Sequence, residues 1–347
     1  MRLTTRLVAA SAGLLLAAPV LAAEPAVPSK FITGDTMMVA RINLQHIKTQ
    51  MIKDTINAVV DGGELTKAGI DNPVETPEFK EMIAGMSMAE GLVGSFIGMG
   101  ATSVSIVIEA PEDEFGQPVM TVLIPSSSAE SSDQIIQMMN MFGGMGAMAQ
   151  KTTDGNQHWV TFAPMGEASG EGGNGAATTH FNTALSSMEG ASVSWVMLPI
   201  EKMRDQMLEN ADDEEQAEMM AEMLENTNWM GMSINLGKEP VVKMVGDLKS
   251  ADAAKGVNSK WKELMGTLVE KAKEAEDEQE DEEWPEGAPR PTEMAKFIAN
   301  AASMETSGSR VNVVLDTKEL RSLTTMFIKF ADASGFSPMD MMPMGGF

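Results

Sequence analysis

This chain repeats itself, and the repeat narrows its architecture more than any motif does. Thr36 to Leu44 (TMMVARINL) is strand-like and runs directly into a helical pattern with apolar positions at Leu44, Ile47, Met51 and Ile52. The same spacing returns 156 residues on, at Ile200, Met203, Met207 and Leu208, behind the strand-like Ser192 to Leu198 (SVSWVML). A second block recurs without a gap at an offset of 122. Pro118-Val119 matches Pro240-Val241, and Ser128-Ala129-Glu130 matches Ser250-Ala251-Asp252. In both copies the serine is placed to cap a helix, and an acid sits in the first turn, where the helix dipole favours negative charge. Apolar stripes follow, at Ile135, Met139 and Phe142 in one copy and at Val257, Trp261 and Leu264 in the other.

The remaining strand patterns fall into the same order. Ser103 to Ala110 and Trp229 to Leu236 precede the second block, with turns at Gly116 and Gly237. His158 to Ala163 and Arg310 to Leu315 follow it, each leading to a closing helix. Each copy therefore reads β-α-β-β-α-β plus one helix, the ferredoxin-like or split βαβ order, and the fold class is α+β with an antiparallel or mixed sheet. Two sheets and one continuous sheet of about eight strands both satisfy this pattern. The expected boundaries are a leader at residues 1–22, a first unit at 23–190, a second at 191–335 and a Met/Gly-rich tail at 336–347. An extra helix is expected around Thr76 to Met88, where Thr76-Pro77-Glu78 has the form of a cap followed by an N1 proline. Met165 to Ala177 and the acidic Glu274 to Pro291 read as linkers.

Arg2 and Arg6, the apolar run Leu7 to Leu21, and Val20 and Ala22 before a cleavage point have the form of a secretory signal peptide. The expectation is export to a periplasmic or extracellular space, with no membrane anchor after cleavage; the uncharged Gly91 to Ile108 reads as a helix end, a glycine turn and a buried strand. The chain has no cysteine, so it carries no disulfide and no thioether-linked lipid. Its formal charge is −25. That surface repels phosphate backbones and anionic lipid, which excludes nucleic acid as a partner and leaves a protein or small ligand.

The Gly34-Asp35-Thr36 opening, before a strand ending Arg41-Ile42-Asn43-Leu44, resembles a broad class of exported bacterial proteins with repeated strand-helix units. The resemblance implies no activity, cofactor or catalytic residue.

Catalytic chemistry is sparse. Tyrosine is absent, and the three histidines, His46, His158 and His180, fall on different elements. Gly85-Met86-Ser87-Met88-Ala89 approaches a nucleophile elbow but lacks the last glycine and the preceding strand, and Ser259-Lys260-Trp261-Lys262 matches Ser-x-x-Lys on a helix stripe without companion motifs. The Gly170 to Gly175 loop lacks the lysine of a phosphate loop. Acidic runs at Asp212 to Glu215 and Glu274 to Glu283 lack calcium-loop spacing. Methionine is the unusual residue, with 33 copies. Most are expected to fill the core, as adaptable substitutes for leucine. Clusters such as Met138, Met139, Met141, Met145 and Met148, and above all Met339, Met341, Met342 and Met344 in the tail, offer soft thioether ligands for copper. Trp284, between Glu283 and Pro285, is a candidate exposed interaction residue. A non-enzymatic, cofactor-free binding or scaffold protein using the surface between the two units is the leading reading. Extracytoplasmic copper binding and a hydrolase are the alternatives. The leader makes one direct prediction: N-terminal sequencing of the exported protein should begin at Ala23 or Glu24, and an intact Met1 on that material would refute it.

Overall fold

In the computed structural model, which describes residues 24–67, 70, 72–111, 118–141, 149–163, 173–201, 221, 223–278 and 288–333, ten strands form one sheet. They are β1 (Thr36–Asn43), β2 (Ser103–Glu109), β3 (Val119–Ser126), β4 (Ala149–Asp154), β5 (Gln157–Phe162), β6 (Val193–Met197), β7 (Thr227–Asn235), β8 (Val241–Leu248), β9 (Met304–Ser307) and β10 (Arg310–Leu315). Their order across the sheet is β4-β5-β3-β2-β1-β6-β7-β8-β10-β9. Every neighbouring pair is antiparallel. Read outward from the β1–β6 seam, both halves give the same sequence of strands.

The helices, in chain order, are α1 (Thr49–Val59), α2 (Gly62–Lys67), α3 (Pro77–Gly98), α4 (Ala129–Met141), α5 (Gly175–Ser187), α6 (Ala251–Glu278), α7 (Pro291–Ala301) and α8 (Thr317–Ala333). The block at offset 122 keeps its register in space: β3 and β8 begin at Val119 and Val241, and α4 and α6 at Ala129 and Ala251. The uncharged segment is the end of α3, a turn and β2, and among the described residues no helix is long and apolar enough to cross a membrane. Gly100 makes that turn at φ +90°, with Ser127 N only 2.6 Å from where a Cβ would stand. Only glycine fits both demands.

The sheet departs from the βαββαβ expectation in two respects. Each half holds a fifth strand, β4 or β9, which folds against β5 or β10 through a tight turn at Gly155 or Gly308, both at positive φ. And β1, β2 and β3 are neighbours in chain order, where a split βαβ unit would interleave them. The acidic linker also begins later than expected, because Glu274 to Glu278 continue α6, and Pro291 opens α7 at its first turn.

Period-two alternation gives the sheet two distinct faces. On the first, Val39, Val107, Leu123, Trp159, Val196, Trp229 and Val245 pack with Phe181, Ala184, Leu185 and Met188 of α5 and its end, and with Val27, Phe31 and Ile32 of the N-terminal segment. Trp159 and Trp229 are each 1% exposed. The same face turns polar toward the seam's other end, where Arg41, Asn43, Ser103, Ser105, Ser192 and Ser194 are all buried. Arg41 donates to Glu24 Oε2 at 3.1 Å and to the Pro25 carbonyl at 3.0 Å, and Asn43 donates to Glu24 Oε1 at 2.5 Å. Burial pulls the Arg41 guanidinium below its ordinary pKa, and Glu24 opposes that pull. One carboxylate thus compensates one buried cation and fastens the N-terminal segment over the sheet. Asn182 reinforces it by bonding both the N–H and the carbonyl of Val27, at 2.9 and 3.2 Å.

Helix ends are capped across the fold as well as locally. Thr76 caps α3, accepting from Phe79 N at 3.3 Å. The residue before α1, Lys48, offers no side-chain cap, and Glu90 of α3 takes that role by accepting from Thr49 N at 3.2 Å. Hydrogen bonding from Thr49 holds the Glu90 carboxyl below its ordinary value of 4.5.

Two predictions follow from these contacts. Glu24→Gln leaves Arg41 buried without a counter-charge, and urea denaturation should show a loss of about 3 kcal/mol, most of it regained in Glu24→Gln/Arg41→Met. The Glu90 pKa is depressed on folding, so its contribution is present above the ordinary carboxyl range and disappears as pH falls through the depressed value. The destabilisation caused by Glu90→Gln should accordingly be visible near neutrality and shrink in urea titrations at an acidic pH below the ordinary carboxyl range. An equal loss at both pH values would remove Glu90 from the capping role.

Candidate binding surface

The second face of the sheet is built from the residues that alternate with the buried set. On β1 these are Met38, Ala40 and Ile42, between Val39, Arg41 and Asn43. Strand register carries the set sideways without a break. Met38 lies opposite Met197 of β6, which lies opposite Met230 of β7. The next row runs Ala40, Trp195, Met232 and Met244, and the third Ile42, Val193, Ile234 and Val242. On the other side of β1, Ile108, Ile106 and Val104 continue the rows. Every one of these side chains is apolar, and every one is only half-buried.

Helices close this face at both flanks. Over β3 and β5, Ile135 of α4 packs with Ile124, Val160 and Ala101, joined by Phe96 and Met99 from the α3 turn. Over β8 and β10, Ala254 and Val257 of α6 pack with Leu248 and Val311. Helix α5 packs on β1, β6 and β7, and its contacts lie on the first face. The central strands consequently form an apolar trough between two helical banks. Soluble antiparallel sheets with one wet face usually place polar side chains there. Here a polar group at one end of the seam is buried on the first face, and the half-buried set on the second face is apolar.

The methionines follow the same inversion. Among the described residues the one fully buried methionine is Met188, while Met99, Met139, Met223 and Met304 are partly buried against core clusters, as expected of methionines that fill gaps in a core. Six others, Met38, Met120, Met197, Met230, Met232 and Met244, stand on second-face positions of the central strands. Of the cluster on α4, Met138 and Met139 are half-buried and Met141 is exposed, while Met145 and Met148 lie outside the described residues. Trp284 and the tail residues Met339, Met341, Met342 and Met344 also lie outside them.

No catalytic constellation is brought together from the residues considered for one. His46 is in a 3-10 turn, His158 on β5 and His180 on α5. Ser87 and Ser259 each donate to a carbonyl one helical turn back, Ile83 and Lys255, at 3.0 Å. Both hydroxyls are spent on their own helices. Trp261 donates to the Ala302 carbonyl at 2.8 Å, tying α6 to the end of α7. Among the described residues no three His, Asp or Glu side chains are grouped to hold a metal ion. A cavity of about 380 Å³ beside Pro199, Ile200, Leu224 and Thr227 carries Glu201, Glu225 and Lys249 at its wall.

No known family profile and no curated protein matches the chain. Among solved structures, crystal form I of TP0453 aligns with 90% of this chain and 99% of its own at 8% identity, with a TM-score of 0.30, and a likeness at that level carries no argument about function.

Proposed function

We propose that this chain is an exported, non-enzymatic binding protein whose recognition surface is the apolar trough at the junction of two duplicated units, residues 23–190 and 191–335. The outward-reading strand order on either side of β1 and β6 supports duplication, as does the preserved offset of β3–α4 and β8–α6. One observation carries the binding role: the central strands present three consecutive rows of apolar side chains that stay partly accessible, although the opposite face buries an arginine, an asparagine and a run of serines. Contiguous apolar surface of this kind marks interaction sites. Unbranched methionines suit a ligand of variable shape, since each thioether chain can readjust.

The charge argues for the kind of occupant. A second copy at −25 is opposed by like charge, and so are anionic lipids and nucleic acid. A small apolar molecule without negative charge meets no such barrier. Ser87 and Ser259, the nearest approaches to a hydrolase nucleophile, are engaged in helix back-bonds, which leaves the hydrolase alternative without support.

The neutral dye Nile red tests the surface directly. It should bind and quench the emission of Trp195 by energy transfer, and that quenching should disappear in Trp195→Phe. Met232→Glu places a charge in the middle row and should weaken the dye by about tenfold, because a carboxylate resists desolvation beside an apolar ligand. Equal binding by wild type and Met232→Glu, or no binding at all, would overturn the reading.

A further inference from the structure

We propose that the thioethers of Met38, Met197 and Met230 form a binding site for a soft monovalent cation, Cu(I). The three residues occupy one row on three consecutive strands, paired Met38 with Met197 and Met197 with Met230. They share a face, so their Cβ atoms stand about 5 Å apart from neighbour to neighbour. Methionine has three freely rotating side-chain bonds, and the outer two sulphurs can lean toward the central one. Thioether sulphur is the neutral side-chain donor that selects Cu(I) over hard divalent ions.

The surroundings suit the same ion. All three side chains are half-buried, which makes the sulphurs reachable while removing part of the water that competes for a cation. Trp195 stands in the adjacent row, beside Met197 along β6, and its indole face attracts a cation held next to it. Met232 and Met244, paired across β7 and β8 in that row, offer two further thioethers. Hard cations find no rival site among the described residues, since no three His, Asp or Glu converge. No thiolate competes, because the chain has no cysteine. This site shares the trough with the apolar-ligand reading but uses sulphur lone pairs, so either can fail alone.

The test is an anaerobic Cu(I) titration of the full chain against the colorimetric chelator bicinchoninate. Two sets of substitutions locate the metal: Met38→Leu/Met197→Leu/Met230→Leu in the row, and Met339→Leu/Met341→Leu/Met342→Leu/Met344→Leu in the tail. Leucine keeps the volume and apolarity of each position while removing the donor. The tail variant should still withdraw Cu(I) from the chelator, and the row variant should lose affinity by at least about tenfold with the urea midpoint unchanged. Met197→Leu alone, the central donor, should lose most of that affinity should the triple variant fold poorly. Retained Cu(I) binding in the row variants, loss in the tail variant alone, or no competition with bicinchoninate by the wild type would each overturn the site.

Discussion

The architecture depends on the antiparallel seam between β1 and β6. Five registered pairs, from Met38 with Met197 to Ile42 with Val193, join strands that are 150 residues apart in the chain and make two halves into one sheet. Backbone bonds extend the seam past the strands, with Asn43 N donating to the Ser192 carbonyl and Leu198 N to that of Met37. Helix α5 then lies across it, touching β1 on one side and β6 and β7 on the other. Because side chains alternate with a period of two, a slip of one residue at this seam would exchange the faces of one half relative to the other. Everything said of either face presupposes this register.

The same register explains why the molecule turned out to be inverted. Arg41 and Asn43 share parity with Val39, so a seam that buries Val39 under α5 must bury them too. The N-terminal segment makes this tolerable by delivering Glu24 to both side chains. With the first face committed, the intervening Met38, Ala40 and Ile42 are left for the other side, where they stay half-buried. An apolar floor is thus the counterpart of a polar interior. The arrangement places the stabilising charge pair and the candidate surface on opposite sides of one strand, within one residue of each other in sequence.

Much of this was legible in the sequence. Local signals gave the strands, because alternation and glycine turns act over a few residues; Thr76-Pro77 gave the start of α3, and Ser128 and Ser250 those of α4 and α6. The offset of 122 joins β3–α4 to β8–α6, whereas the helix read at Met203, Met207 and Leu208 for the offset of 156 lies outside the described residues. What escaped was either short or relational. Strand β4 (AQKTTD) has no apolar alternation and is carried by its hairpin, with Asp154-Gly155 as the one local signal. Helix α7 starts at Pro291, the last residue of the segment read as linker, and was not expected, though Arg290-Pro291 and Glu293 spell a start. Face assignment could not be read from either strand alone, since Met38 and Val39 are equally apolar and only the packing of α5 decides which goes in. Methionine was assigned to the core for that reason, and the pairing of Met38, Met197 and Met230 appeared only once β1, β6 and β7 were set side by side.

The outer borders of the sheet differ sharply from its middle. Strands β4 and β9 are short and mostly exposed, with Lys151 on one and Glu305 on the other, which makes them poor templates for a further strand. The seam has no such protection, because β1 and β6 lie inside the sheet and each is complementary to the other. Were the halves to part, each would offer a matching partner only at that inner border, and a second copy opened in the same way could satisfy it. Exchange of halves would then yield closed pairs, since the polar borders block extension into fibres. Concentrated stocks of this protein should therefore store trouble as interlocked dimers before they store it as amyloid.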